Sequence, residues 1–332
     1  MTKAGRGSAA DEGRTGSATV DSVHFPVLRD EVVEYLKPRG RRELMIDATV
    51  GEGGHAETLL RRYSSLRLVG LDADPVILGV ARQRLSAFGE RAHFYNNWFN
   101  QFFKDYPSEL DRPDTILFDL GISSFHFELS GRGFSFRKDE PLDMRLGEDL
   151  ETSAADIVND YPEGALAGII FEYGEERLSR TIARAIVNAR EKGRIETTRE
   201  LAEVIARAVP AKYRSGRIHP ATRSFQAIRI AVNGELMRLE AGLASALTVL
   251  KVDGRIGVIS FHSLEDRIVK RFFREKNKSC TCPPEQPICN CEGRRILEIV
   301  TKKPVVPGEK ERLANPPSRS AKLRVAVKLA EE

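Results

Sequence analysis

Asp47-Ala48-Thr49-Val50-Gly51-Glu52-Gly53-Gly54-His55 follows an apolar run, Leu44-Met45-Ile46, and precedes a helix-compatible run, Ala56-Glu57-Thr58-Leu59-Leu60. A second apolar run, Leu68-Val69-Gly70-Leu71, ends in Asp72-Ala73-Asp74. The order is strand, glycine turn, helix, strand, acid, which predicts a nucleoside-cofactor site. Glycines let the backbone approach a ligand, and the helix N-terminus offers free N–H groups. An acid at the tip of the second strand accepts from ribose hydroxyls. Gly51, Gly53, Gly54, His55 and Asp72 are therefore candidate cofactor-binding residues.

The turn alone does not name the cofactor. Gly51-Glu52-Gly53-Gly54-His55-Ala56 also fits the G-x-G-x-x-G/A dinucleotide fingerprint. NAD and S-adenosylmethionine are both open at this point, and a plain structural turn is the bland alternative. Two details favour S-adenosylmethionine. Asp47 ends the first strand, where a carboxylate can meet a cationic methionine end. A later apolar strand, Thr115-Ile116-Leu117-Phe118, runs into Asp119-Leu120-Gly121-Ile122-Ser123-Ser124. That puts a polar rim at a strand's carboxyl end, where open α/β sheets bind ligands.

The chain has 332 residues, 41% hydrophobic and 30% charged, as expected for a soluble protein of one or two domains. No apolar run approaches a membrane span, so no membrane partner is expected. Residues 1–22 are rich in Gly, Ala, Ser and Thr and lack an apolar signal segment, so they read as a disordered tail. A cytoplasmic location is the default. Strands are expected at Glu43–Thr49, Arg67–Asp72, His93–Asn96, Thr115–Leu120 and Gly254–Ser260. Ile296–Thr301 and Leu323–Leu329 would form an antiparallel pair. From 125 to 230 the strand signal fades. Helices are expected at Ala154–Asn159 behind a Ser153 cap, at Glu175–Lys192 and at Thr198–Ala208. Leu236–Leu250 and Leu264–Glu275 continue the α/β rhythm. The simplest organisation is a discontinuous sheet domain, 23–124 and 231–332, interrupted by a helical insert, 125–230.

Five later stretches are more specific. They are Arg132-Gly133-Phe134-Ser135-Phe136, Pro141 to Leu146 (PLDMRL), Tyr173 to Arg177 (YGEER), His219 to Arg229 (HPATRSFQAIR) and Ser260 to Lys270 (SFHSLEDRIVK). Together and in this order they closely resemble the bacterial 16S ribosomal RNA cytosine-N4 methyltransferases, the RsmH or MraW family, from about His24 to Val327. The resemblance implies an α/β fold: a class I S-adenosylmethionine-dependent methyltransferase with a Rossmann-like sheet and an inserted helical substrate domain. It implies methylation of one cytidine amine in the decoding centre of the small ribosomal subunit, with 16S rRNA as partner. It carries cofactor contacts to Gly53, Gly54, His55, Asp72, Phe99 and Asp119. Where the family has Ser-Ser-Pro-Gln, this chain has Ser123-Ser124-Phe125-His126, so His126 stands in for a cofactor-contacting Gln. An NAD-dependent oxidoreductase and a non-catalytic ribosome-assembly factor are the competing readings.

Asp119 is a candidate to hold the target amine, with cofactor binding alone as its alternative. Ser260 and His262 follow a strand end, where His262 could position the base or relay a proton; otherwise it caps the next helix. Phe134 and Phe136 are candidates to stack on a splayed nucleotide, beside Arg132. Between Val204 and Gly234 six cations, Arg207, Lys212, Arg214, Arg217, Arg223 and Arg229, occur with no acid. Interrupted by Tyr213, His219 and Phe225, they predict a phosphate-tracking groove, with Arg214, Arg217, His219 and Arg223 as RNA-binding residues. All four cysteines, Cys280, Cys282, Cys289 and Cys291, cluster in two close pairs that could bind structural zinc tetrahedrally. A homodimer is compatible with the sequence.

Overall fold

The computed structural model describes residues 25–40, 43–214, 218–280, 282 and 293–331, with the backbone alone at Lys212 and Arg214. The expected N-terminal tail lies outside the described residues. Seven strands form one sheet: β1 (Leu44–Asp47), β2 (Arg67–Asp72), β3 (Ala92–Asn96), β4 (Thr115–Asp119), β5 (Arg255–Ser260), β6 (Leu297–Ile299) and β7 (Lys322–Lys328). Their order is β3-β2-β1-β4-β5-β7-β6. The first five are parallel, and β7 is antiparallel to both neighbours. This is the class I methyltransferase topology. The chain reverses direction across the sheet between β1 and β4, which places the ligand crevice at their carboxyl ends.

The central strands are apolar throughout because helices cover both faces. Alternate residues face opposite cores, as a period of two requires. Met45 and Leu68 join a cluster with Leu36, Leu59 and Leu78. Ile46, Val69 and Leu71 join one with Phe103, Leu247 and Phe273. A third core draws only on residues between Phe134 and Val232, including Ile157, Ile170, Ile186, Leu201 and Ile228. It is built by helices Ala154–Asp160, Glu163–Gly174, Ser179–Arg190, Thr198–Ala208 and Thr222–Asn233. Among the described residues no helix is long and apolar enough to cross a membrane.

Two local bounds differ from expectation, and one helix was not expected. The helix expected from Glu175 starts at Ser179, because Glu175 takes a left-handed conformation (φ 49°) that ends the preceding helix. That preceding helix, Glu163–Gly174, carries three glycines that weaken its propensity signal. The boundary expected after residue 230 falls inside helix Thr222–Asn233; the chain turns instead at Gly234, whose φ of 58° is easily reached by glycine.

Ser153 caps helix Ala154–Asp160 through a reciprocal box with Asp156. Ser153→Ala should lower unfolding stability by about 1 kcal/mol, read by denaturant titration. An unchanged midpoint would show that the box contributes nothing.

Candidate functional site

The glycine turn is shaped by two positive φ angles, 51° at Gly51 and 82° at Gly53. A Cβ on Gly53 would also sit 3.1 Å from Leu85. The turn thereby delivers the N-terminus of helix Gly54–Arg62 to the carboxyl ends of β1 and β4. Two buried groups meet there. Asp47 is buried at the end of β1, and His55 is buried in the first turn of the helix. His55 Nε2 lies 3.5 Å from Asp119 Oδ2 at the end of β4, while Thr49 Oγ1 accepts from the Asp119 N–H at 2.7 Å. Among the described residues neither ring nitrogen of His55 has a hydrogen-bond partner, and neither does Asp119 Oδ1.

Burial raises Asp47 to about 7, and the nearby Asp119 charge pushes in the same direction. Asp72, at the end of β2, is raised by burial to about 6. Its carboxylate accepts from Gly51 N at 3.0 Å and from Asp74 N at 2.9 Å. Each oxygen keeps a lone pair for a hydroxyl donor. The set suits a nucleoside joined to a zwitterionic amino acid. Asp72 can hold a ribose, Asp47 and Asp119 an ammonium group, and His55 with the helix N–H groups a carboxylate. A dinucleotide fits poorly, since its pyrophosphate would face two carboxylates at the same turn.

His126 and Arg132 differ from expectation. His126 is buried, and its Nε2 lies 2.9 Å from Asp74 Oδ2. A carboxylate only accepts, so Nε2 donates to Asp74, and only Nδ1, which has no partner among the described residues, remains for a ligand. A Gln could offer both an oxygen and an amide nitrogen; His126 has one ring nitrogen left. Arg132, expected on RNA, bonds the Asp74 carboxylate and the carbonyls of Arg145 and Leu146. Burial opposes the charge on Asp74, but bonds from His126 and Arg132 outweigh it and hold the group at about 2. Phe134 is only 5% exposed and packs edge-on against His126 within the insert core, so it is no stacking platform as the chain stands. The accessible aromatic pair is Phe136 with exposed His219, their rings 4.7 Å apart.

On the opposite side of the crevice, Ser260 is buried and its hydroxyl donates to Lys322 O at 3.4 Å. It faces β7, which removes it from the rim. Phe261 packs onto Gly121, where a Cβ would approach the ring to 2.6 Å. Only glycine allows this closure of the β4 and β5 ends. His262 is the N-cap of helix Ser263–Lys276, in a capping box with Glu265. Its Nδ1 accepts from Glu265 N at 3.4 Å. Its Nε2 is buried without a hydrogen-bond partner among the described residues, 3.1 Å from Glu265 Oε1 but off a bonding axis. Phe99 meets Phe118 edge-on at 5.3 Å.

The expected acid-free groove changes once helices supply acids from elsewhere. Arg229 forms a two-point pair with Glu235 at 2.8 and 2.9 Å, and Arg223 lies 3.7 Å from Glu176. The Arg214 side chain and Arg217 lie outside the described residues. Of the cysteines, Cys280 and Cys282 are described, while Cys289 and Cys291 lie outside the described residues, and with them the expected zinc site.

Sequence reasoning missed two contributors. Glu52 accepts from Ser123 and Ser124 hydroxyls at 2.6 and 3.2 Å, tying the glycine turn to the chain after β4. Asp74 was visible only as part of a strand tip, although the following Pro75 marks it as a helix N-cap, which it is.

A family model described as the MraW methylase family matches residues 21–329. A Treponema denticola protein named ribosomal RNA small subunit methyltransferase H is 55% identical, over 92% of this chain and 98% of its own. Similar proteins with that name occur in Carboxydothermus hydrogenoformans, at 50% identity over 92% and 98% of the two chains, and in Geobacter sulfurreducens, at 50% over 92% and 99%.

The raised acid gives a pH-dependent expectation. Asp47 sits near 4 when unfolded and about 7 when folded. The folded state therefore holds the extra proton between those values. The stability this contributes is full below pH 4 and is lost as pH rises through 7. Asp47→Asn should melt above the wild type at pH 8 without ligand, with the gap closing at low pH. It should also bind a cationic amino-acid ligand more weakly. Parallel melting curves at pH 5 and 8 check the first, calorimetric titration the second; a constant gap would remove Asp47 from the titration.

Proposed function

The chain belongs to the MraW methylase family, and from that premise we propose that it transfers a methyl group from S-adenosylmethionine to the exocyclic N4 amine of a cytidine in the decoding centre of 16S rRNA. The observation that carries the reading is the buried Asp47 and His55 with half-buried Asp119, beside Asp72, with polar atoms left unpartnered among the described residues at the sheet's switch point. Asp72 would hold the ribose, Asp47 and His55 the amino-acid end, and Phe99 the adenine side. The bound sulfonium supplies an already activated methyl.

The harder partner is the nucleophile, because the cytosine amine lone pair is delocalised into the ring. Asp119 Oδ1, without a partner among the described residues, would accept one amine N–H and localise that pair. His262 has a narrower role than its residue type suggests. Its Nδ1 is committed to capping, so the proton sits on Nε2. It acts as a donor to the acceptor edge of the base and positions the ring, and does not remove the amine proton. Alignment of amine, methyl and sulfur could supply roughly 7–11 kcal/mol at best. The methylated amine is acidic enough to shed its proton without a strong base. Phe136 and His219 are the surface on which a neighbouring nucleotide would stack.

Mass mapping of methylated nucleosides in small-subunit RNA, with and without this protein, tests the site and chemistry. His262→Ser separates the two roles of that residue, since Ser is also a good N-cap. Its melting temperature should stay near wild type while the single-turnover rate falls roughly tenfold to a hundredfold, the cost of one lost hydrogen bond. A normal rate would take His262 out of the reaction.

A further inference from the structure

We propose that the cleft between helix Ser263–Lys276 and the β6–β7 edge is a second docking surface for the phosphate backbone of the RNA substrate. The inference rests on the methyltransferase reading and adds to it a binding surface outside both the crevice and the insert.

Two sides of this helix treat their cations differently. Arg267 is paired with Glu175 at 2.7 Å, and Arg271 with Glu240 at 2.5 Å. Those charges hold the helix against its neighbours. Lys270 and Arg274 lie one turn apart on another side, exposed, and have no ion-pair partner among the described residues. Lys302, in the segment after β6, is likewise exposed and unpaired, and lines the same cleft. Arg324 also lines it, but its guanidinium is already spent on Asp266 at 2.7 Å. Among the described residues no acid lines the cleft.

Like charges four residues apart destabilise a helix, and a third cation on the facing segment adds to the repulsion. The fold supplies acids to the neighbouring cations and none to these three. A polyanion would relieve the repulsion on binding. The cleft encloses about 80 Å³ over a floor that includes Phe273 and Thr301, room for a phosphate group but not for a nucleoside or a helix. Position favours RNA over an acidic protein. His262 starts this helix at the rim. At a rise of 1.5 Å per residue, Lys270 and Arg274 lie roughly 12 and 18 Å further along it. Nucleotides flanking a base held at the rim can reach that far.

The test is the triple variant Lys270→Ala, Arg274→Ala, Lys302→Ala, which leaves Arg324 and its ion pair in place. Binding to purified small ribosomal subunits and to protein-free 16S RNA is measured across a salt series, with cofactor affinity and melting temperature on the same preparation. Binding to both RNAs should fall at least tenfold. The slope of log affinity against log salt should become less negative by roughly 2, as three phosphate contacts are lost. Cofactor affinity should hold, and melting temperature should hold or rise as repulsion is relieved. Wild-type affinity and slope in the variant would overturn the cleft while leaving the methyltransferase reading intact. Loss on subunits but not on free RNA would assign the cleft to an acidic ribosomal protein and overturn it as well. Failure of the wild type to methylate subunits would remove the underlying reading, and the proposal with it.

Discussion

Carboxylates buried or half-buried at the switch point of the sheet are the constraint around which the molecule is organised. Asp47, Asp72, Asp74 and Asp119 all lie at carboxyl ends of strands or just past them. Parallel strands covered on both faces leave those ends as the one place where ligand and backbone can meet, and the side chains there leave bulk water. Asp47 and Asp72 have no guanidinium or ammonium partner among the described residues; the contacts seen come from backbone N–H groups. Both acids are accordingly raised toward neutrality. Two large apolar cores, one on each face, hold the sheet together against this cost. A ligand with a cationic end turns the same acids into a favourable site.

Asp72 and Asp74 are two residues apart and serve opposite purposes. Asp72 keeps capacity for a ligand. Asp74 is neutralised by Arg132 and His126 and caps helix Pro75–Arg84 at the same time. The Asp74 N–H donates to Asp72, so the two acids share one piece of backbone. Arg132 belongs to the segment that leads into the insert core, so that segment is pinned beside Asp72. A second tie lies across the crevice, where Glu175 accepts from Ser263 and pairs with Arg267. The insert is therefore held at both walls of the crevice, by the strand-two side and by the strand-five side.

Much of this was legible in the sequence, for identifiable reasons. The glycine turn, β2 and the Thr198–Ala208 helix were read to the residue or nearly so, because short-range pattern decides them: positive-φ glycines, a β-rich run, and a Thr197 capping box before an apolar stripe. Helix Glu163–Gly174 was not visible, since its glycines hide the stripe. Side-chain roles were harder. Phe134 and Arg132 carry the composition of an RNA-binding patch, yet tertiary packing puts the ring in the insert core and the guanidinium on a buried acid. The basic run looked acid-free because Glu176 and Glu235 lie outside it in sequence and return to it in space. Ser260 shared a strand end with His262, but it is buried and its hydroxyl bonds the Lys322 carbonyl of β7.

The two histidines show why hydrogen-bond partners, rather than residue type, set the chemistry. An imidazole at a methyl-transfer rim invites the role of general base. For His262 the helix decides otherwise: the orphan N–H of the first turn needs an acceptor, Nδ1 provides it, and Nε2 is left as a donor. For His126 the other nitrogen is engaged. Asp74 accepts from Nε2, and Nδ1 is left without a partner among the described residues. Two copies of one side chain thus leave different ring nitrogens uncommitted. Each ring is held in its orientation by a structural bond that would have to break before the two nitrogens could exchange places.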